Sequence, residues 1–425
     1  MNKKTITLYR RPLFGFRAGA TGIATVAKTA AAVAALGLLL AACGRDAATA
    51  PGITADTVKI GGSLPLSGAL SANGLAQVAG AQAYFKAVND AGGVAFSDGK
   101  KRKIEYIAHD DAYDPGKLVV NFRQLVNQDK VLAVVGSFGT PGNLAVMPET
   151  VQLGVPNIFL VTGASVFSAE PAKNPWTIGW LPTYESEGKA FAEFIKAQGK
   201  PARVAVLSQN DDVGKAYVRG LEKELEGSQA QIVARQTYEP TDPTVDSQIL
   251  NLAASKADWF FSAVNVPRLQ ASGLKQIQLT GWKPATFVPT LTSNIAQVIK
   301  PSGAGDYFSE LRSTTFIKAP ASPQFANDPD VVEYLARMAK YSPGVDPNIL
   351  NAVWGYASAE TMVESLKAMK PLSRQGLMDA VHGLKLSKVS MLLPGIGFDG
   401  GQPPQAPITG FKLQTLRNGA WVVSE

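Results

Sequence analysis

The sequence predicts an α/β protein built as two doubly wound lobes, and three features predict it. Short apolar segments that suit buried strands alternate with segments whose apolar residues recur every three or four positions. That rhythm runs, stops in a proline-rich stretch at residues 167–182 containing Pro171, Pro175 and Pro182, and then starts again. At 425 residues the chain also exceeds one comfortable hydrophobic core, so each run is expected to form its own lobe.

Residues 1–42 read as a signal peptide. A region carrying Lys3, Lys4, Arg10, Arg11, Arg17 and Lys28 precedes an uncharged, nearly all apolar segment at 29–42 that is too short to span a bilayer comfortably. It ends in Leu40-Ala41-Ala42-Cys43, which matches the bacterial lipobox. Cys43 is the only cysteine in the chain, so no intrachain disulfide or cysteine-based zinc cluster can form. Cys43 is thus the expected lipid attachment site, where several acyl chains give stable anchoring, with residues 43–52 as a linker. Removing the six basic residues of the leader takes the formal charge from +7 to about +1, and nothing then favours nucleic acid as a partner.

Residues 58–64 alternate apolar and small side chains, as a strand would, and break at Pro65-Leu66-Ser67-Gly68. Leu75, Val78, Ala81, Phe85 and Val88 place a helix at 75–90, closed by Gly92-Gly93. A strand at 103–108 leads into Asp110-Asp111-Ala112-Tyr113-Asp114-Pro115, where Asp114 suits an N-cap and Pro115 the first helical position. Val131-Leu132-Ala133-Val134-Val135 suits a strand buried on both faces of a parallel sheet. It ends in Gly136-Ser137-Phe138-Gly139-Thr140-Pro141, before a helix at 143–153. Ligands of open α/β sheets bind at such strand ends, beside helix N-termini. A strand at 155–161 then ends in Thr162-Gly163-Ala164-Ser165, where a side chain at Gly163 would block a ligand from the backbone. Beyond the break, helices at 185–197, 213–225, 246–254 and 267–276 alternate with strands at 203–207, 232–236, 258–262 and 286–289. Residues 348–369 form the longest helical pattern, and 397–423 read as short antiparallel strands turning at Gly400-Gly401 and Asn418-Gly419.

Five motifs occur in a telling order. They are Val58-Lys59-Ile60-Gly61 into Pro65-Leu66-Ser67-Gly68; Val88-Asn89-Asp90-Ala91-Gly92-Gly93; Asp110-Asp111 with Asp114-Pro115; Val134-Val135-Gly136-Ser137; and Gly154-Val155-Pro156. Behind a lipobox, this series resembles the type I periplasmic binding proteins, specifically the branched-chain amino acid (Leu/Ile/Val) receptors of ABC transporters. The resemblance implies two Rossmann-like lobes joined by three hinge crossovers near Trp180, Thr315 and Ser390. The N-terminal lobe would comprise 53–179 and 318–388, and the C-terminal lobe 180–317 and 389–425. It implies a small-molecule ligand between the lobes, an ABC permease with its ATPase as partner, no cofactor, and a monomer in the bacterial periplasm, tethered through Cys43.

Ligand-binding residues carry over in part. Ser137, Phe138 and Thr140 match the turn that grips a carboxylate, and Thr162, Gly163 and Ala164 the second gripping loop. Tyr184, Asn210 and Asn265 are second-lobe positions able to face the cleft. The family's cleft aromatics correspond to Asn73 and Val213, and its ammonium-pairing glutamate would fall at 289–292, where no acid occurs; Asp211 and Asp212 could take that role. A branched-chain amino acid or similar small organic solute is implied, with an aromatic acid, an amide or another non-amino-acid solute as the alternative.

No catalytic residue or metal site is expected. His109 and His382 are far apart in sequence, Asp110-Asp111 is better explained by capping, and no Walker A, G-x-S-x-G or H-E-x-x-H pattern occurs. Besides an importer's receptor, a lipid-anchored ligand sensor serving another membrane protein fits the same sequence.

Overall fold

The computed structural model describes residues 50–303, 305–401, 403 and 405–424; the leader and Cys43 lie outside them. The first lobe grows from β1 (Thr57–Leu64), α1 (Ser71–Asp90), β2 (Val94–Ala95), β3 (Lys101–Asp110) and α2 (Pro115–Asn127). It continues through β4 (Val134–Val135), α3 (Thr140–Leu153), β5 (Asn157–Leu160), the single turn α4 (Val166–Ala169) and β6 (Thr177–Gly179). Its six strands lie in the order β2-β3-β1-β4-β5-β6, all parallel except the β2 edge. Only Val134 and Val135 of the apolar run enter the ladder, yet all five residues from Val131 are buried, as a strand covered on both faces requires.

The second lobe holds α5 (Tyr184–Lys196), β7 (Ala202–Gln209), α6 (Asp212–Leu225), β8 (Ala230–Tyr238), α7 (Asp246–Ala254), β9 (Trp259–Ala263) and α8 (Pro267–Thr280). β10 (Ala285–Phe287), a 3-10 turn at Thr290–Thr292, a π-helical turn at Ile295–Ile299, α9 (Lys300–Ser302) and β11 (Leu311–Thr315) follow. The chain then returns to the first lobe as α10 (Pro329–Tyr341), α11 (Leu350–Ala368), α12 (Arg374–Gly383), β12 (Lys385–Leu386) and β13 (Phe398–Asp399). A last hairpin, β14 (Lys412–Arg417) and β15 (Ala420–Val423), completes the seven-stranded order β15-β14-β11-β10-β9-β7-β8.

Two features differ from the sequence expectation. The stretch at 167–182 is not wholly irregular, because Thr177–Gly179 pairs with β5 as the sheet's last strand. The final crossing comes later than Ser390: Ile396, Phe398 and Ile408 still pack in the first lobe's core, and β13 pairs with β12. The chain rejoins the second sheet only at Lys412. At Ser390 the N–H donates to Glu360 of the returning segment at 3.0 Å, and nearby Ile317 bridges Leu392, so the chain there still lies against the first lobe.

The returning segment is integral to the first lobe. α11 is buried over nearly its whole surface, with Glu360, Glu364 and Lys367 on its less covered side. It crosses α1 so closely that a Cβ on Gly80 would sit 1.9 Å from the Ala352 carbonyl oxygen, and one on Gly355 2.0 Å from that of Gln77. Only glycine permits that approach. Among the described residues, no helix is long and apolar enough to cross a membrane, and no cluster of His, Cys, Asp and Glu could hold a metal.

Candidate functional site

The site forms where β4 and β5 end. Gly139 turns the chain with φ +89° and delivers Thr140 to the start of α3, while β5 delivers Thr162 beside it. Both threonines are buried, and their hydroxyls share a hydrogen bond of 2.6 Å. The Ala164 N–H donates to the Thr162 hydroxyl at 3.1 Å. Tyr184, at the start of α5, covers the pair: its hydroxyl lies within reach of both threonines, and burial raises its pKa. A Cβ on Gly163 would meet the Tyr184 ring at 2.7 Å, so this glycine makes room for a tyrosine.

Tyr113 closes the seam from the first lobe. It sits in the left-handed region at φ 65°, held by its N–H donating to Asp111 Oδ1 at 2.8 Å. Its ring lies over Gly139, where a Cβ would come within 2.5 Å, and meets Phe138 edge-on at 6.1 Å. Its hydroxyl reaches the second lobe beside Gln209, Asp211 and Tyr238, and burial raises its pKa. Those groups are already linked. Gln209 Nε2 donates to Asp211 Oδ2 at 2.6 Å, Tyr238 donates to Gln209 Oε1 at 2.8 Å, and the Asn265 N–H donates to the Tyr238 hydroxyl at 2.8 Å. Asn265 Oδ1 is buried with no hydrogen-bond partner among the described residues.

Behind this wall stands Glu187 on α5. Its Oε1 accepts from the Thr290 N–H at 2.6 Å, the Thr290 hydroxyl at 2.9 Å and the Thr314 hydroxyl at 2.6 Å; its Oε2 accepts from Tyr217 at 2.9 Å. Tyr184 stacks on Tyr217 with centroids 4.8 Å apart. The loop at 289–292 therefore does meet an acid, supplied from another helix and saturated by its own donors. Burial raises the Glu187 pKa, while these hydrogen bonds pull it down.

A family model described as "Periplasmic binding protein" matches residues 57–419. The chain belongs to that family. This periplasmic binding protein is 22% identical over 386 residues to the "Leu/Ile/Val-binding protein homolog 7" of Brucella abortus, covering 87% of this chain and 93% of that protein. Among solved structures, a fatty acid ABC transporter substrate-binding protein from Thermomonospora curvata aligns with a TM-score of 0.75 at 21% identity, over 89% of this chain and 93% of that one. An ABC transporter solute-binding protein from R. palustris in complex with benzoate aligns with a TM-score of 0.71 at 17% identity, over 86% and 95%. Family membership makes the chain a non-enzymatic binding protein, working outside the cytoplasm.

The geometry gathers Thr140, Thr162, Gly163, Ala164, Tyr184 and Phe138 into one seam of this periplasmic binding protein, with Asn265 beside Tyr238. Three expectations need correction. Ser137 lies behind the seam, fully buried, its Oγ accepting from the Ser63 N–H at 3.4 Å. The amides of Phe138 and Gly139 are already committed, donating to the carbonyls of Ser63 and Val161 at 3.1 Å each, so that turn offers a hydroxyl more than free N–H groups. Asn210 is exposed and donates to Glu239 Oε1 at 2.6 Å, which places it at the rim. Asp110 and Asp111 tie loops together: Asp110 accepts from the Leu66 and Ser67 amides, and Asp111 from the Ser63 hydroxyl. Tyr113, Gln209 and Tyr238 also belong to this seam, and sequence reasoning did not single them out. A tyrosine between two aspartates in a strand-to-helix loop was the available signal for the first.

Proposed function

We propose that this periplasmic binding protein is the solute receptor of an ABC importer, held to the membrane through acylated Cys43 and acting as a monomer. Its solute enters when the hinge opens, and is clasped between the two threonines and the tyrosine rings when it closes. The buried hydroxyl pair of Thr140 and Thr162, 2.6 Å apart under Tyr184, carries this reading. Each hydroxyl satisfies the other in the shut cleft. An arriving carboxylate can accept from both, at a helix start that favours negative charge.

The remaining chemistry narrows the solute. Tyr113, Phe138, Tyr184 and Tyr238 supply ring surface, and Asn265 Oδ1 supplies a buried acceptor for an N–H or O–H group. Asp211 is the acid nearest the rings, but one of its oxygens caps α6, accepting from the Val213 and Gly214 amides at 2.9 and 3.2 Å. The relatives named for Leu/Ile/Val, fatty acid and benzoate share a carboxylate on an apolar body, and that class fits this seam. An aromatic acid is favoured within it by the four rings.

A thermal-shift screen of the purified protein against branched-chain amino acids, aromatic acids, amides and short fatty acids tests the proposal. A true solute at a hundred times its Kd adds about 2.7 kcal/mol of stability. Carboxylates should raise the melting temperature and matched amides should not; a flat response across the panel would remove the proposal.

A further inference from the structure

A second void opens between the lobes and shares no residue with the tyrosine seam. Its volume is about 240 Å³, below the ~300–1,000 Å³ of pockets for drug-sized molecules and closer to the scale of a single amino acid. Asn294, Ile295, Lys300 and Trp421 line it from the second lobe, Asp346 and Leu350 from the first. The lobes touch beside it, where Asn294 Nδ2 donates to the Asn348 carbonyl at 2.8 Å. Ile295 opens the π-helical turn, an irregularity frequent at functional sites.

The charges around this void are unmatched. Among the described residues, the Lys300 ammonium has neither a hydrogen bond nor an ion pair. Asp346 accepts only from the Asn348 backbone and side-chain N–H groups, at 2.9 Å each, and has no cationic partner. One free cation on one lobe and one unpaired acid on the other thus flank an apolar void. We propose that this void is a second ligand site, which takes a small zwitterion with an apolar body. The anionic end pairs with Lys300, the cationic end with Asp346, and the body packs on Ile295, Leu350 and Trp421. A lone ion would leave one charge unmatched and the apolar walls uncovered. Because the walls come from both lobes, the occupant is fully contacted only when they are together, so it favours the closed form.

Calorimetric titration of the purified protein tests this with three probes: L-leucine, 4-methylpentanoate, which lacks the ammonium, and isoamylamine, which lacks the carboxylate. Leucine should bind, and each half-analogue should bind at least about tenfold more weakly, the equivalent of losing one good polar contact. Lys300→Met and Asp346→Asn, both at exposed positions, should weaken leucine by about tenfold or more with melting temperatures unchanged. Leucine binding that persists in a Thr140→Val, Thr162→Val double variant and vanishes in Lys300→Met assigns it to this void. Equal leucine affinity in Lys300→Met, Asp346→Asn and the unaltered protein overturns the second site, as does a leucine titration with no heat. Loss of all solute binding in the double variant alone would overturn the second site while leaving the threonine seam standing.

Discussion

The two places where the lobes meet are finished differently. At the tyrosine seam nearly every polar atom has a partner supplied by the protein: threonine meets threonine, and Gln209 joins Tyr238 to Asp211. At the void lined by Lys300 and Asp346, opposite charges face a gap without meeting. The contrast is between an interlobe contact held by mutual satisfaction and one whose flanking charges are left unmatched. A solute at the seam must displace existing hydrogen bonds, and its net gain is the difference between two sets of bonds. A solute meeting Lys300 at the void would break no existing bond of its ammonium to the described residues.

The strongest way to break the contrast is to unsettle the seam from behind. Glu187→Ala leaves the Thr290, Thr314 and Tyr217 donors without their acceptor in a buried setting, so unfolding free energy should fall by about 3–5 kcal/mol, read from the urea midpoint. The same residue gives a pH signature. Its pKa is raised in the folded state, so the folded protein holds that proton more tightly than the unfolded chain does. The resulting stabilisation is fully present below the ordinary value of 4.5 and is lost as pH rises through the raised folded value. Glu187→Gln should flatten that part of the stability profile, and an unchanged profile would show that Glu187 does not titrate there.

Next in size is the packing of Tyr113 over Gly139. Gly139→Ala combines a positive φ with a Cβ that would meet the ring at 2.5 Å, and should cost about 2 kcal/mol. In a Tyr113→Ala background the steric part disappears, so a double-mutant cycle should return a coupling of about 1 kcal/mol; additivity would mean the ring yields freely. Thr162→Val removes one hydroxyl of the pair and should weaken a carboxylate solute about tenfold by titration, sharpening the seam's role if stability barely moves. Smallest of all, Arg123→Ala removes an exposed pair with Glu149 far from either site, and the denaturation midpoint should stay where it is.

What could be read from the sequence was whatever is decided by near neighbours. Asp114 does cap α2, its side chain accepting from the Lys117 N–H at 3.0 Å. Asn418 and Gly419 do make the tight turn of the last hairpin, at φ 49° and 73°. The same Asp-Pro pair at Asp328 and Pro329 starts α10, a helix that the sequence reading did not single out. Distance in sequence hid the rest. Glu187 and Thr290 lie 103 positions apart, so a search for an acid near 289–292 could not find it. β6 has only three residues, and β13 two, too few for any periodicity to show. The role of Tyr113 depends on which groups the opposing lobe presents, and no local pattern carries that information. The turn at 137–140 does meet the loop at 162–164, but its amides are spent on neighbouring strands, a matter of sheet register that its residue types do not reveal.

The clasp between α1 and α11 bears on how the chain matures. Gly80 and Gly355 seat helices far apart in the polypeptide, so the first lobe cannot pack α1 into its core until residue 368 has been delivered. A chain that must leave the cytoplasm gains from this delay. Most of its length can be made while one of its two cores still lacks a major helix, which keeps the growing polypeptide loose enough to be threaded across the membrane before it locks.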